Sequence, residues 1–279
     1  MDYKSCYEEW LSSDELTSDE RERLTAMTDD EIRECFYAPL EFGTAGMRGI
    51  IDLGINRMNR FTVRRATKGL ADFVNSLGSE AAERGVIIAY DTRRKSAEFA
   101  VLAAKVLSAE KINVRIFENV RPVPMCSFAV RETGAVAGIM ITASHNPKEY
   151  NGYKVYGEDG AQMSPESTAE VVKIIDKTPY FAIKTADSGF TPDSIKGLDG
   201  EKVDDFVTVL GATLDGKYFD AVTALGMSAD AVATFGGSVK IVYTPVHGTG
   251  YMPVTSVLGR MGIKVNVVPE QAAPDTEFS

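Results

Sequence analysis

Between Thr62 and Ile141 short apolar runs alternate with longer stretches of helical period, and this alternation limits the folds open to the chain. "TVRRATKGLADFVNSLG" places Val63, Ala66, Leu70, Phe73, Val74 and Leu77 on one helical face and ends at Gly78. The strand "VIIAY" follows, then a helix over "SAEFAVLAAKVLSAEK" with Ser96 as its N-cap, the strand "INVRIF", a short helix through "PMCSFAVRETG" and the strand "AVAGIMI". Strands that alternate with helices pair in parallel through crossovers, with helices covering the sheet. The pattern predicts an α/β fold with mixed, mostly parallel sheets covered by helices on both faces, one per domain. In such sheets ligands gather beyond the carboxyl ends of the strands. Two polar clusters, "DTRRKS" after Tyr90 and "TASHNP" after Ile141, fall there and can share one crevice.

The flanks are read the same way. Residues 1–40 form a helical extension, with Thr28 and Glu31 spaced as a capping box ahead of "IRECFY". A further strand, "GYKVY", leads through "GEDG" to a helix opened by Ser164 and Pro165, which completes a first domain over residues 41–180. Residues 181–200 are rich in Pro, Gly, Ser and Asp without sustained period and are expected to link two domains. A second domain, 201–279, is expected to run through helical stretches to "ATFGG", the strand "VKIVYTP", the turn "VHGTG", a helix "PVTSVLGRMG" and the strand "IKVNVVP". Two strands make a poor sheet, so this domain reads as cut short.

A length of 279 residues suits two such units, and no apolar run is long enough to span a bilayer. The acidic start "MDYKSCYEEWLSSDE" lacks the order of a secretory signal, so a cytoplasmic protein is expected. Cys6, Cys35 and Cys126 are too scattered for a disulfide framework or a zinc site. Forty acidic against thirty basic residues set the net charge at −10, which excludes nucleic acid as an expected partner and leaves a small anionic ligand held by a local basic cluster.

Taken alone, Ser144 in "TASHNPKEYNGYKVY" is a turn or cap residue. Its place after a buried-type strand adds the possibility of a nucleophile, and Lys154, ten residues on, can return to the same crevice as a general acid or base. A serine hydrolase fits poorly: the flanking positions are Thr142 and Asn146 where a nucleophile elbow needs glycines, and besides the adjacent His145 only His247 could complete a triad. Two histidines also speak against a zinc enzyme. "EFGTAGMRGI" spaces Gly43, Gly46 and Gly49 around Thr44 and Arg48, suiting either a plain turn or a loop whose amides and arginine meet a phosphate. "DTRRKS" supplies Arg93, Arg94 and Lys95, and "TPVHGTG" reads equally as a phosphate turn or a strand-to-helix turn that needs glycine. Together these clusters suit phosphoryl chemistry.

"EFGTAGMRGI", "YDTRRKS", "TASHNPKEYNGYKVY", "TPVHGTG" and "EQAAPDTEF", in this order and spacing, resemble the α-D-phosphohexomutases, nearest to their bacterial phosphoglucomutase branch. The resemblance runs from about Glu41 to the end of the chain. It implies that Ser144 carries a phosphate, that Lys154 is the general acid/base with His145 as an active-site partner, and that Thr44 and Arg48 neighbour the phosphate with support from Arg93. The implied reaction passes the phosphoryl group of Ser144 to the 6-hydroxyl of glucose 1-phosphate. Glucose 1,6-bisphosphate forms as intermediate and activator, and its other phosphate returns to serine. Mg²⁺ would be the cofactor, bound through the Ser144 phosphate. The carboxylate loop D-x-D-x-D-R that holds the metal in the family does not occur in this sequence, nor do the family's third and fourth domains. The chain therefore reads as an N-terminal part that is inactive alone. Phosphomannomutase, phosphopentomutase and a non-catalytic sugar-phosphate-binding module stand as alternatives, and the oligomeric state is left open.

Overall fold

In the computed structural model, which describes residues 2–43 and 46–279, the N-terminal extension consists of α1 (Tyr3–Leu11), α2 (Ser18–Thr25) and α3 (Asp29–Phe36). Two of these helices start on reciprocal capping boxes, Thr17 with Glu20 and Thr28 with Glu31. Trp10, 1% exposed, anchors the extension by packing edge-on against Phe36 and Phe61 and beside Tyr180 and Phe181.

The main unit then runs β1 (Gly46–Ile50), α4 (Arg60–Ser76), α5 (Ser79–Arg84), β2 (Val86–Tyr90), α6 (Ser96–Ala109), β3 (Val114–Phe117), α7 (Val123–Thr133), β4 (Ala137–Ile141), β5 (Tyr150–Gly157), α8 (Pro165–Ile175), β6 (Lys202–Asp204) and β7 (Val207–Leu210). Its strands form one sheet in the order β1-β5-β4-β2-β3-β7-β6. The four central strands β4, β2, β3 and β7 are parallel, while β5 and β1 at one edge and β6 at the other run antiparallel to their neighbours. Every residue of β2 and β4 is buried, as apolar strands covered on both faces must be. On one face Val86, Ile88, Ile139, Ile141 and Tyr153 pack with Leu70 of α4, Leu107 of α6 and Val171 of α8. On the other, Ile87, Met140 and Tyr156 pack with Cys126 and Val130 of α7. The chain continues through α9 (Ala212–Ala224), α10 (Ala229–Phe235), β8 (Ile241–Tyr243), α11 (Tyr251–Arg260) and β9 (Val265–Val267), and β8 and β9 form a separate parallel pair. Among the described residues no helix is long and apolar enough to cross a membrane.

Two sequence expectations are corrected. Residues 181–200 contain no helix or strand, yet they do not hang between domains: Phe190 and Ile195 are buried in the main core and Ala186 donates its amide to the Lys105 carbonyl. They lead the chain across the first unit to β6 and β7, where a helical start to a second unit had been expected from residue 201. The reason is an open edge: Val207 to Leu210 pair with Val114 to Phe117 and satisfy the free ladder of β3. Ser96 is not an N-cap either. α6 begins at Ser96 after Lys95, whose φ of 66° is left-handed, and the Ser96 hydroxyl donates to Asp91 instead.

Candidate active site

The carboxyl ends of β2 and β4 are adjacent in the sheet, and the two polar clusters beyond them interlock. Arg93 joins them. Its side chain is 3% exposed, and its terminal nitrogens donate to four carbonyls of the Ser144 turn: Nη1 to Pro147 at 2.8 Å and Tyr150 at 3.0 Å, Nη2 to Ser144 at 2.9 Å and Asn146 at 2.5 Å. Burial lowers the pKa of this guanidinium and the Asp91 carboxylate, 3.4 Å from Nε, opposes that. The sequence reading gave Arg93 a supporting place beside the phosphate; in the structure its two terminal nitrogens hold the turn.

Asp91 organises the other side of the junction. Its carboxylate accepts from the Arg93 amide at 3.0 Å and from the Ser96 hydroxyl at 2.7 Å, and Ser96 in turn accepts from Asn151 Nδ2 at 2.9 Å. Asn151 also donates to the Arg94 carbonyl and accepts from the Gly152 amide, which fixes the start of β5 against the β2 loop. Asp91, Ser96 and Asn151 were not among the site residues expected from the sequence. They lie inside the quoted motifs, but a short polar side chain in a loop gives no sign of where its hydrogen bonds go.

Ser144 is exposed, at a φ of 57°, a left-handed conformation that a non-glycine residue adopts only when its surroundings impose it. The Thr142 hydroxyl accepts its amide at 3.0 Å, and the His145 Nδ1 lies 3.3 Å from its Oγ, with the direction of that bond set by the imidazole tautomer. Arg48 and Lys154 reach this end of the sheet from β1 and β5. Arg48 pairs with Gly152 and Lys154 with Gly46, so both side chains leave the same sheet face as diagonal neighbours, about 7–8 Å apart at their origins. Neither has a hydrogen-bond or ion-pair partner among the described residues, which leaves both side chains available. Two glycines make this approach possible: a Cβ at Gly46 would sit 1.9 Å from the Tyr153 carbonyl, and one at Gly152 would sit 2.7 Å from the Thr142 carbonyl. Thr44 lies outside the described residues.

The "TPVHGTG" turn serves a different end. His247 is buried, with Nδ1 3.0 Å from the Ala273 carbonyl and Nε2 3.2 Å from the Ser279 carbonyl, so it ties down residues 273–279. That segment lies against the Ser144 turn: Glu277 pairs with Lys148 at 2.8 Å and with Arg94 at 3.5 Å. The three cysteines are free and buried, and burial pushes the Cys126 thiol up to about 12. Among the described residues no three His, Cys, Asp or Glu side chains converge as a metal site, so the residues present do not by themselves fit Mg²⁺.

Residues 39–181 match the family model described as phosphoglucomutase/phosphomannomutase, alpha/beta/alpha domain I, and residues 216–279 match domain II of the same family. A phosphoglucomutase of Staphylococcus epidermidis is 39% identical over 256 residues, covering 90% of this chain and 43% of the relative. One of Staphylococcus aureus is 35% identical over 254 residues, covering 90% and 42%. A crystal structure assigned to a phosphomannomutase of Thermus thermophilus superposes with a TM-score of 0.65 at 26% identity, over 86% of this chain and 48% of that one. The chain thus spans about two fifths of the length of the curated relatives it matches.

Proposed function

The chain belongs to the phosphoglucomutase/phosphomannomutase family, and from that membership we propose that it carries the phosphoryl-relay serine of a phosphoglucomutase, with Ser144 as the carrier. The observation that carries the reading is the conformation of Ser144: an exposed hydroxyl on a left-handed residue, held from below by Arg93 and Thr142 at the carboxyl end of the sheet. Arg48 and Lys154, unpaired among the described residues, leave the same sheet face, Arg48 to supply positive charge and Lys154 to exchange the proton.

In the proposed exchange the 6-hydroxyl of a hexose 1-phosphate attacks the phosphorus on Ser144. The new O6–P bond forms as the Ser144 Oγ–P bond breaks, and the hydroxyl proton, taken up by Lys154, ends on the freed serine oxygen. The bisphosphate then returns its 1-phosphate to Ser144 by the same steps reversed. Arg48 would face the transferring phosphoryl oxygens, where fixed positive charge stabilises the transition state. His145 would hold the orientation of Oγ. Glucose is preferred to mannose here because both curated relatives bear the name phosphoglucomutase. Mg²⁺, once the serine carried its phosphate, would neutralise part of that charge. A cytoplasmic location and a small sugar-phosphate partner complete the proposal, which for this chain is confined to phosphoryl exchange at Ser144.

The test is covalent. Incubation with glucose 1,6-bisphosphate should add one phosphate to the intact protein, mapped to Ser144, and Ser144→Ala should take up none while keeping the same unfolding transition. Phosphate on another residue, or none, would overturn the assignment.

A further inference from the structure

The last residues of the chain present a carboxylate to the rim of the Ser144 turn. The Asp275 side chain accepts the amides of Glu277 at 2.9 Å and Ser279 at 3.1 Å. Bonding from the Ser279 hydroxyl and these two amides holds the Asp275 carboxyl at about 2. The turn they form projects Glu277 between Lys148, at 2.8 Å, and Arg94, at 3.5 Å, while the Phe278 ring stands 5.3 Å from the Arg93 guanidinium. Lys148 lies four residues beyond Ser144, and Arg94 follows the arginine that holds the Ser144 turn. Beside them lies a cleft of about 630 Å³, edged by Pro274 and Thr276, in which Arg93, Lys95 and Lys196 are paired with Asp91, Glu98 and Asp193, so that Arg94 is the lining cation whose charge is met by Glu277 alone among the described residues.

Two features show that Glu277 is displaceable. The Lys148, Arg94 and Glu277 side chains are all 43–46% exposed, and an ion pair so open to water holds weakly. A phosphate monoester also offers three oxygens and a larger negative charge to these two cations, where the carboxylate gives one oxygen to each and stands 3.5 Å from Arg94.

We propose that Arg94 and Lys148 form a binding site for a phosphate monoester at the rim of the Ser144 turn, and that the Glu277 carboxylate occupies it as an internal competitor. The choice of a phosphate ligand rests on the phosphoglucomutase reading; the existence of an anion site does not. A ligand phosphate entering there releases Glu277 and with it the grip of residues 273–279 on the turn. Binding would therefore be coupled to release of that segment from the rim of the turn.

Inorganic phosphate is the probe, titrated calorimetrically into the whole 279-residue chain at constant ionic strength against a chloride control. Glu277→Gln should tighten phosphate binding by about threefold to fivefold, the effect expected from removing an exposed competing charge. Adding Arg94→Ala and Lys148→Ala should abolish that gain. Unchanged affinity in Glu277→Gln, or a gain that survives loss of both cations, would overturn the proposal. Repeating the titrations on Ser144→Ala separates the two readings: this site should bind phosphate equally there, even if Ser144 proves never to be phosphorylated.

Discussion

Arg93 shows how a single side chain can hold a whole turn in shape. A buried guanidinium presents five donors in a rigid fork, and here two nitrogens meet four carbonyls of one tight turn. The left-handed φ of Ser144 costs about 1–3 kcal/mol, and those bonds maintain it. A lysine ammonium cannot serve both sides of the fork. Arg93→Lys should therefore lower the free energy of unfolding in urea by about 2–4 kcal/mol, since buried acceptors lose charged donors. The same variant should raise amide exchange selectively over residues 144–150. Stability and exchange equal to wild type would mean that the turn holds its shape without the guanidinium.

At the scale of elements, the N-terminal helices are built on local signals strong enough to be read directly. α3 begins at Thr28, whose hydroxyl accepts the Glu31 amide at 3.3 Å while the Glu31 carboxylate accepts the Thr28 amide at 2.8 Å. Bonding from the Thr28 amide, then from Arg23 and the Thr28 hydroxyl, holds the Glu31 carboxyl at about 2, against an ordinary 4.5. A depressed carboxyl stabilises the folded state above its unfolded value and loses that contribution as the pH falls through the folded one. The Tm of Glu31→Gln should accordingly lie below wild type at neutral pH, and the gap should close as the pH is taken from 4.5 to about 2. A gap independent of pH would assign the effect to helix propensity and not to the ionised cap.

Across the whole molecule the main sheet and the following helices are joined by a buried ion pair. Asp215, in the first turn of α9, receives both Nε (2.8 Å) and Nη2 (2.6 Å) of Arg121, which follows β3, and Glu118 accepts from the same Nη2 at 2.9 Å. Burial acts to lower the Arg121 pKa, but the Asp215 and Glu118 carboxylates outweigh it and the pKa is raised. Nearby, α9 packs on α7 and carries α11. Removing one partner of a buried pair costs about 3–5 kcal/mol because the other charge is stranded. Asp215→Ala should lose stability on that scale and show faster amide exchange through α9 and α11 before the central strands open. Uniform loss of protection across both parts would show that they unfold as one cooperative unit.

How far the sequence reaches depends on the range of the interactions concerned. Periodicity, capping residues and turn glycines act over a few residues, so the alternation that predicts β2, α6, β3, α7 and β4, and the Thr28–Glu31 box, appear in the structure much as read. The adjacency of "DTRRKS" and "TASHNP" also followed, because strand order in an α/β unit places both at one end of the sheet. Partner choice is not local. A period of two says that residues 207–210 could be a strand but not that β3 has an open edge to receive them, and their short run gave no such signal. An arginine in a loop is a solvated charge, a phosphate ligand or a turn clamp according to where its donors point, and only the fold aims Arg93 at four carbonyls. Glu277 meets Lys148 across 129 residues of chain, a separation at which no motif can announce a contact. Local chemistry wrote the elements and the serine turn into the sequence; long-range packing decided which charges hold that turn in place and which one pairs at its rim.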